Sequence, residues 1–410
     1  MAARKDGKGR ALRKGECYRK DGRYSYGYTD PFGQRRFIYS TNLVTLRQRE
    51  DQLIKDQMDG LNVYVAGSAT VNMVFDRYIS TKSELRSTTY SNYMYTWNHF
   101  IRDTFGKKKI GDVKYSDVLQ FYTYLLKEKG IQVNSLENVN TVLRPTFQLA
   151  VRDDIIRKNP VDGAFTEVKK RHGGCRKLRH ALTVEQQRAF IRYVAESPVF
   201  DGWLPLFVFL LGTGCRIGEA IGLRWEDVDL EKRTISINHA LTYYPRREET
   251  YVCEFRVSLP KTEAGVRMIP MMEPVYDVLV DEYERQSEEG FCVKSVDGMT
   301  NFVFFNRFGG PHNPQSINRA LKRIVCAHNS EEQVKAKKEK REPVIIPNLS
   351  CHIFRHTFAS RICENETNIK VIQDIMGHAD VSTTMNIYAE VNGETTRQSM
   401  ENLAKNLDVF

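Results

Sequence analysis

A short basic stretch broken by two glycines divides the chain into parts of different character. Residues 169–177 read Lys-Lys-Arg-His-Gly-Gly-Cys-Arg-Lys, the sharpest change of composition in a sequence of 410 residues. Adjacent glycines make a connection flexible, and dense like charges keep it extended and solvated. We therefore predict a basic linker at residues 169–180, so that the chain folds as separate domains rather than around one core.

The part before residue 66 has the pattern of a small sheet followed by a helix. Turn signals, Lys-Asp-Gly and then Asp-Pro-Phe-Gly, separate stretches in which aromatic residues alternate. These aromatics are Tyr24, Tyr26, Tyr28, Phe37 and Tyr39. We predict a three-stranded antiparallel sheet with one aromatic face, and a helix that begins at Thr45 with a capping box to Gln48.

The segment from residue 66 to residue 168 has apolar residues at helical spacing. Residues 61–67 are expected to be a linker, and the periodic pattern then runs from Thr70 to Asn159-Pro160, where we predict that the last helix ends. Pro145 is expected to kink this helix. The pattern predicts an all-helical domain whose aromatic residues form its core.

Residues 181–410 predict a mainly helical domain with a small antiparallel sheet. Thr183 begins a helix with a capping box to Gln186, and the apolar run at 204–211 predicts a buried helix that Gly212-Thr213-Gly214 ends. Two further predictions are a strand at 234–238 and a hairpin made by 257–259 with 266–268, with Lys261 at its turn. Residues 331–341 predict an exposed connection or a surface helix. The fold class is multidomain α+β.

Charge and composition narrow the partners and the compartment. Lys and Arg outnumber Asp and Glu by 61 to 51, a net charge of +10 that favours a polyanion such as nucleic acid. The eight cysteines show no CxxC spacing, which indicates reduced thiols and no metal site. No stretch approaches the roughly 18 apolar residues of a membrane span. We expect a soluble, cytoplasmic bacterial protein, associated with the nucleoid and without a cofactor, a metal or a membrane partner.

The last sixty or so residues of the sequence bring together side chains that suit phosphodiester chemistry. His352, Arg355, His378 and Tyr388 lie close in the chain, and Arg216 follows Gly214-Cys215 upstream. A phenol with a pKa of about 10 is a poor nucleophile unless cations stabilise the charge that builds on the group it attacks. Arginine forks match the non-bridging oxygens of a phosphate. The pattern predicts DNA strand transfer through a phosphotyrosine.

These residues resemble the active-site set of the tyrosine recombinase (phage integrase) family. The set, in chain order, is Arg216, Lys261, His352, Arg355, His378 and Tyr388. The spacing from residues 211–219 to 376–378 and 387–388 is also similar to that family. As a whole the chain most resembles the integrases of conjugative transposons, which have an arm-type DNA-binding domain and a core-binding domain before the catalytic domain. That resemblance implies domains at 1–65, 66–168 and 181–410.

The resemblance also implies a role for each residue. Tyr388 is expected to attack the phosphodiester, Lys261 to protonate the departing 5′-oxygen, and His378 to position the phosphate. Arg216, His352 and Arg355 are expected to stabilise the transition state, while Glu219, one helical turn after Arg216, supports them or forms an ordinary ion pair. The family implies double-stranded DNA at the element ends and the target site as partner, a homo-tetramer in the synaptic complex, and an accessory excisionase.

Several basic residues are candidates for contact with DNA phosphates or bases. They are Arg19, Lys20, Arg23, Arg35 and Arg36 in the first domain, Lys107 and Lys108 in the second, and Lys169, Lys170 and Arg171 in the linker. Each of them is equally compatible with a solvated surface charge, and the resemblance favours DNA contact for the first group.

Other functions remain open from the sequence alone. A type IB topoisomerase shares the chemistry but reseals the same strand, a DNA-binding regulator could keep the fold without catalysis, and a metal-dependent nuclease would need a metal that EDTA removes. The apolar face of Met400, Leu403 and Leu407 could pack on its own domain or on a neighbouring protomer. The sequence does not choose between these two.

Overall fold

The computed structural model describes most of the chain and has the multidomain α+β fold. The described residues are 4–29, 35–58, 69–173, 181–245, 252–260, 263–366, 368–382, 384, 385 and 387. They belong to two compact units, Met1–Arg176 and Lys177–Phe410. The predicted linker at 61–67 and the apolar face of Met400, Leu403 and Leu407 lie outside the described residues.

A small antiparallel sheet and one helix form the beginning of the first unit. The elements are β1 (Glu16–Tyr18), β2 (Tyr24–Thr29), β3 (Arg35–Ser40) and α1 (Leu43–Met58), and the strands are ordered β1-β2-β3. The predicted three-stranded sheet is confirmed. The predicted helix start at Thr45 is wrong, because α1 begins at Leu43, where the side-chain oxygen of Asn42 accepts the N–H of Val44 at 2.9 Å.

The aromatic residues of this sheet lie on two faces, so the predicted single aromatic face is wrong. Tyr24 stands opposite Ser40, and Gly27 stands opposite Phe37. In this register Tyr24 lies on the face that packs on Leu43 and Leu46 of α1, whereas Phe37 lies on the other face and is 49% exposed. The alternation of residues within one strand could not reveal this. Only the pairing register shows which residues of two neighbouring strands lie on the same face of the sheet.

An ion pair connects this sheet to α1. The Glu16 carboxylate on β1 is fully buried and accepts hydrogen bonds from Arg47 of α1, from Nε at 2.9 Å and from Nη2 at 3.0 Å. Burial would raise the pKa of Glu16, but the Arg47 hydrogen bonds and the backbone N–H of Arg13 hold it below the usual range. The charge of Glu16 is thus tolerated only because α1 supplies a guanidinium.

The rest of the first unit is helical, as predicted. Its helices are α2 (Val71–Ser80), α3 (Ser87–Thr96), α4 (Tyr115–Lys127), α5 (Val133–Arg152) and α6 (Ala164–His172). A π-helical turn at Trp97–Ile101 continues α3, and short 3-10 turns lie at Phe105–Lys107 and Ile110–Asp112. In the core, the Trp97 ring stacks on Phe75 at a centroid distance of 3.7 Å.

Two boundaries in this helical region differ from the sequence-based predictions. Helix α5 contains Pro145 and ends at Arg152, well before Asn159-Pro160, because Asp154 takes a left-handed backbone with φ of 54°. Residues 169–172, assigned from the sequence to the basic linker, form the last turn of α6. Basic residues are favourable there because the carbonyl end of a helix carries partial negative charge.

The second unit surrounds its core with helices and two small antiparallel sheets. Its elements are α7 (Val184–Glu196), α8 (Leu204–Thr213), α9 (Ile217–Gly222), β4 (Val228–Asp229), β5 (Thr234–Ile237), β6 (Ala240–Pro245), β7 (Cys253–Ser258), β8 (Arg267–Pro270), α10 (Glu273–Glu289), α11 (Pro314–Glu339), α12 (Cys351–Asn365) and α13 (Ile369–Met376). The capping box from Thr183 to Gln186 and the buried helix α8 are confirmed.

Strand pairing in this unit contradicts the predicted hairpin of 257–259 with 266–268. Strand β7 pairs with β6, while β8 pairs with β5 in the sheet ordered β4-β5-β8. The two stretches therefore belong to different sheets. Of the two alternatives for residues 331–341, the surface helix is the one observed, since α11 continues through them to Glu339 and most of these residues are exposed.

None of the helices within the described residues combines the length and apolar composition needed to cross a bilayer.

We predict that Arg47→Met loosens the β1–α1 contact by about 2 kcal/mol, because buried Glu16 would lose its cation while keeping its desolvation cost. Hydrogen–deuterium exchange of the full chain, followed by mass spectrometry, should show faster exchange in peptides that cover β1 and α1. Arg49→Met is the matched control, since Arg49 is an exposed arginine of the same helix that donates to the Tyr39 carbonyl and not to a buried carboxylate among the described residues. Equal exchange in both variants would contradict this account.

Candidate active site

The loop between α8 and α9 presents Arg216 at the start of a helix. Gly214 ends α8 with a left-handed backbone, φ of 62°, and a Cβ at this position would lie 2.3 Å from the Phe358 ring. Only glycine fits both the backbone and the space. Arg216 follows in extended conformation as the residue before α9, and its side chain remains 46% exposed.

Glu219 holds this arginine from the first turn of α9. Its Oε1 accepts a hydrogen bond from Nη1 of Arg216 at 2.8 Å, and its Oε2 accepts one from the Arg216 backbone N–H at 2.9 Å. The ion pair considered as an alternative for these two residues is thus present. It leaves part of the Arg216 guanidinium open to solvent, so the pair does not exclude a further partner.

A third residue of the cluster, Arg267, was missed in the sequence. From β8 it donates Nη2 to Oε2 of Glu219 at 2.8 Å and Nε to the Ile375 carbonyl at 2.8 Å, and only 8% of the residue is exposed. A usable signal was present: Arg267 lies two residues before Ile269, on the buried side of the same strand.

Arg355 on α12 is buried against backbone carbonyls. Its Nη1 donates to the Gly214 carbonyl at 2.7 Å, and its Nη2 donates to the Met376 carbonyl at 2.6 Å. Burial, and after it the charge of Arg216, lowers the pKa of Arg355 to about 10. The side chain remains a cation at neutral pH.

The three arginines meet at the C-terminal end of α13. The consecutive carbonyls of Ile375, Met376 and Gly377 accept hydrogen bonds from Arg267, Arg355 and Arg216 respectively, the last at 3.0 Å. This is the end of a helix at which unsatisfied carbonyls and partial negative charge accumulate. The sequence-predicted Arg216 and Arg355 are therefore brought together, with Arg267 beside them.

His378 leaves this same helix end. Gly377 caps α13 with φ of 62°, and the His378 Nδ1 lies 3.0 Å from the Thr384 hydroxyl oxygen. Burial, followed by the nearby charges of Arg355, Arg216 and Arg267, lowers the pKa of His378 to about 4. The imidazole is neutral at pH 7 and can accept or donate one hydrogen bond.

The other predicted catalytic residues differ in what can be said of them. His352 lies in the first turn of α12, is exposed, and precedes Arg355 by one helical turn. Lys261 and Tyr388 lie outside the described residues. The turn Glu263–Gly265, just after Lys261, approaches the cluster: a Cβ at Gly377 would stand 3.1 Å from the Ala264 carbonyl oxygen.

The cluster carries more positive than negative charge. Among the described residues, Glu219 is the one carboxylate that pairs with guanidiniums of the cluster, and it pairs with Arg216 and Arg267 but not with Arg355. Burial would raise the pKa of Glu219, but the Arg267 hydrogen bond and the charges of Arg267 and Arg216 hold it below its usual range. With Glu219 ionised and His378 neutral, the surplus is cationic, which suits an anionic ligand.

No group of three or more His, Cys, Asp or Glu side chains among the described residues could hold a metal ion.

The free face of the N-terminal sheet carries several predicted DNA-binding residues. The Arg19 guanidinium lies 5.3 Å from the centre of the Tyr39 ring, and the Arg35 guanidinium lies 5.8 Å from that of Phe37. Arg19 and Arg23 both form an ion pair with Asp21, whose negative charge offsets part of the positive charge of the two arginines. Lys20 is exposed in the turn between β1 and β2. Arg36 stands opposite Tyr28, on the face that packs on α1, so it does not share the free face with Arg35.

The remaining predicted DNA-binding residues are exposed, and several form ion pairs. Lys107 pairs with Asp103 at 3.2 Å and Lys108 with Asp117 at 2.7 Å. Arg171 pairs with Glu167 along α6, where Lys169 and Lys170 are also exposed. Exposed pairs of this kind contribute little to stability.

We predict that Gly377→Ala destabilises the second unit more than Gly309→Ala does. Both positions have a left-handed backbone, so each alanine costs about 1–2 kcal/mol in strain. The Gly377 Cβ would also lie 2.9 Å from Arg267 Nη1, whereas Gly309 has open space. Thermal unfolding of the full-length variants measures the difference, and equal shifts in Tm would contradict the proposed crowding at Gly377.

We predict that the His378 ring titrates near pH 4. The unfolded chain binds this proton near pH 6.5 and the folded site resists it, so the unfolding free energy falls as pH drops from about 6.5 to 4, by at most about 1.4 kcal/mol per pH unit. NMR of a ring-labelled protein, with His378→Asn to assign the signal, measures the pKa directly. A midpoint above pH 6 would contradict the combined effect of burial and of the three arginines on this ring.

Comparison with known proteins agrees with the geometry across the whole chain. Residues 181–395 match the model described as phage integrase family, residues 1–57 the DNA binding domain of Tn916 integrase, and residues 70–169 the phage integrase SAM-like domain. The first match alone extends over more than half of the chain.

Full-length relatives and a solved structure are similar as well. The chain is 29% identical over 415 residues to the transposase from transposon Tn1545 of Streptococcus pneumoniae and to the transposase from transposon Tn916 of Enterococcus faecalis, covering 98% of this chain and 97% of each relative. The structure of the Tn1549 transposon integrase in complex with transposon right end DNA matches with a TM-score of 0.69 at 29% identity, over 82% of this chain and 100% of that one. The chain therefore belongs to the phage integrase family and is a tyrosine-type site-specific recombinase.

Proposed function

We propose that the protein integrates and excises a mobile DNA element, of the conjugative transposon type, through a 3′-phosphotyrosine intermediate. The observation that carries the proposal is the cluster of Arg216, Arg267 and Arg355 at the end of α13, with Glu219 as its one carboxylate in the described part of the chain. Its uncompensated positive charge suits a phosphodiester. The similarity to transposon integrases over nearly the full length supports an element end as substrate.

In the proposed reaction Tyr388 is the nucleophile. Its phenol gives its proton to solvent water, the phenol oxygen forms a bond to phosphorus as the bond to the 5′-oxygen breaks, and Lys261 donates a proton to that departing oxygen. The strand then carries a 3′-phosphotyrosine and a free 5′-hydroxyl. A second DNA strand's 5′-hydroxyl reverses the step, so the bond energy is retained and no external energy source is needed.

The cluster is proposed to stabilise the pentacovalent transition state. Arg216 has an exposed part of its guanidinium for a non-bridging oxygen, and Arg355 is held rigidly by two carbonyls. Cations fixed in advance stabilise developing charge without reorganisation during the reaction. His352, one turn before Arg355, is proposed to contact the same phosphate, and neutral His378 to position it by a hydrogen bond.

The strand exchange itself requires more than one protomer. Two duplexes present four strands, and each cleavage occupies one tyrosine until the strand is rejoined, so we infer a homo-tetramer on double-stranded DNA from the element ends and the target site. We propose the domains 1–65 for arm-type sites, 66–168 for the core site, 169–180 as basic linker and 181–410 for catalysis. A small excisionase is proposed to direct excision, and the bacterial cytoplasm, at the nucleoid, to be where the enzyme acts.

The N-terminal sheet supplies a face suited to the arm-type role. Arg19, Arg23 and Arg35 lie with the exposed rings of Phe37 and Tyr39 on the side away from α1. A ribbon of this size fits a major groove, where arginine reads guanine and the aromatic rings contact apolar base edges. Binding at two separate DNA sites distinguishes this enzyme from a topoisomerase that reseals one strand.

We predict that the wild-type protein, in EDTA, forms a covalent adduct with a nicked suicide substrate that carries an authentic element end. The nick lets the short cleaved fragment diffuse away, so the intermediate accumulates and appears on a denaturing gel. Tyr388→Phe should bind the same DNA and form no adduct, because it lacks the phenol oxygen.

The alternatives give different results in the same experiment. Cleavage that requires a metal would favour a nuclease, and DNA binding without any adduct from the wild type would favour a non-catalytic regulator. An adduct formed equally by Tyr388→Phe would assign the nucleophile to another residue. Any of these results would contradict the proposed mechanism.

A further inference from the structure

We propose that Arg267 is a positioning residue of strand cleavage: from β8 it holds Glu219 against Arg216 and fixes the helix end that presents His378. The inference rests on the proposed function, since it concerns how the cluster is aligned on a scissile phosphate. Arg267 itself is buried, with 8% exposure, and is therefore placed to act through its neighbours rather than on the DNA.

One guanidinium bridges two parts of the site that are far apart in sequence. Nη2 of Arg267 donates to Glu219 on α9, while Nε donates to the Ile375 carbonyl on α13, both at 2.8 Å. Because the guanidinium is planar and rigid, these two bonds fix the distance and the angle between their acceptors. A lysine ammonium could reach one acceptor but could not set the angle between the two.

The first bond determines how Arg216 is aimed. Glu219 uses Oε1 for the Arg216 guanidinium and Oε2 for both the Arg216 backbone N–H and Arg267. Arg267 therefore completes the set of donors that holds the carboxylate in one rotamer. Without it, Glu219 can turn, and the exposed part of Arg216 loses its fixed direction.

The second bond determines where His378 stands. The Ile375 carbonyl belongs to the last turn of α13, and Gly377 follows with so little space that a Cβ would lie 2.9 Å from Arg267 Nη1. That Nη1 is itself buried without a hydrogen-bond partner among the described residues. Its charge faces the helix end, where Arg355, Arg216 and Arg267 all help to lower the pKa of His378 in addition to the effect of burial.

Arg267 also begins the strand that follows the Lys261 segment. The backbone between them includes the turn Glu263–Gly265, whose Ala264 carbonyl oxygen would stand 3.1 Å from a Gly377 Cβ. Because Arg267 and Ile269 are both buried on β8, this strand is anchored next to α13. The turn Glu263–Gly265 and the helix end that precedes His378 thereby lie on either side of the same buried side chain.

The test compares Arg267→Lys and Arg267→Met with the wild type and with Arg285→Lys. Arg285 is the control for the loss of an arginine that holds a buried carboxylate, because it donates to Glu282 from Nε at 3.0 Å and from Nη2 at 2.6 Å, away from the cluster. Single-turnover cleavage of the suicide substrate is measured at saturating full-length protein and low temperature. DNA binding is measured by mobility shift.

We expect Arg267→Lys to keep DNA binding within about twofold and to cleave about 10- to 100-fold more slowly, since a misaimed group of this kind costs up to about two orders of magnitude. Arg267→Met should be slower still, and Arg285→Lys should cleave at the wild-type rate. A second readout is the His378 ring signal in NMR. Its midpoint should move up towards the usual histidine value in Arg267→Met and stay in place in Arg285→Lys.

Arg267→Lys keeps the buried charge, so it carries the test if Arg267→Met fails to fold. Wild-type cleavage by Arg267→Lys would overturn the inference. So would a parallel loss of DNA binding and cleavage in Arg267→Lys, which would indicate support of the fold alone. If the wild type itself forms no adduct, the proposed function fails, whereas an adduct from the wild type with equal rates for Arg267→Lys refutes only the role of Arg267.

Discussion

The shared carboxylate of Glu219 is the interaction on which the candidate active site depends. It is buried between Arg216 and Arg267, and it accepts from both of them. The buried guanidinium of Arg267 and the half-exposed guanidinium of Arg216 carry like charges, and removal of the carboxylate would leave both charges without compensation. One anion, however, cannot neutralise three arginines. The folded site is therefore held together by these contacts and still carries more positive than negative charge. An excess of positive charge favours the binding of a phosphate.

The remaining stabilisation comes from backbone rather than from side chains. Three successive carbonyls at the end of α13 are each taken by a different arginine, so the negative end of the helix serves as a fixed counter-dipole. Carbonyl dipoles do not titrate and carry no net charge. They hold Arg355 in place without neutralising its charge, whereas a carboxylate would neutralise it. This arrangement also explains why residue 377 is a glycine, because the side chain of a larger residue would push the helix end away from Arg267.

Much of the local structure could be predicted from sequence, because it depends on neighbours in the chain. The glycine that ends α8 at 214, the capping box at Thr183 and the first sheet all follow from short-range rules. Pairing of distant strands does not. Alternation correctly marked β7 and β8 as strands, but it holds no information on partners, so they were joined into a hairpin although each pairs with another strand.

Arg267 was missed for the same reason that the aromatic face of the first sheet was misassigned. The spacing from Arg267 to Ile269 indicates the buried side of the strand, but it does not identify Glu219 and the end of α13 as the acceptors that the fold brings to this arginine. Arg216 and Arg355, in contrast, belong to short sequence motifs that can be recognised without the structure. The residues proposed to touch a substrate can thus be predicted from local patterns, whereas the contacts of Arg267 depend on how β8, α9, α12 and α13 meet. Since these elements meet only in the folded unit Lys177–Phe410, the alignment of the site is coupled to the folding of the whole unit.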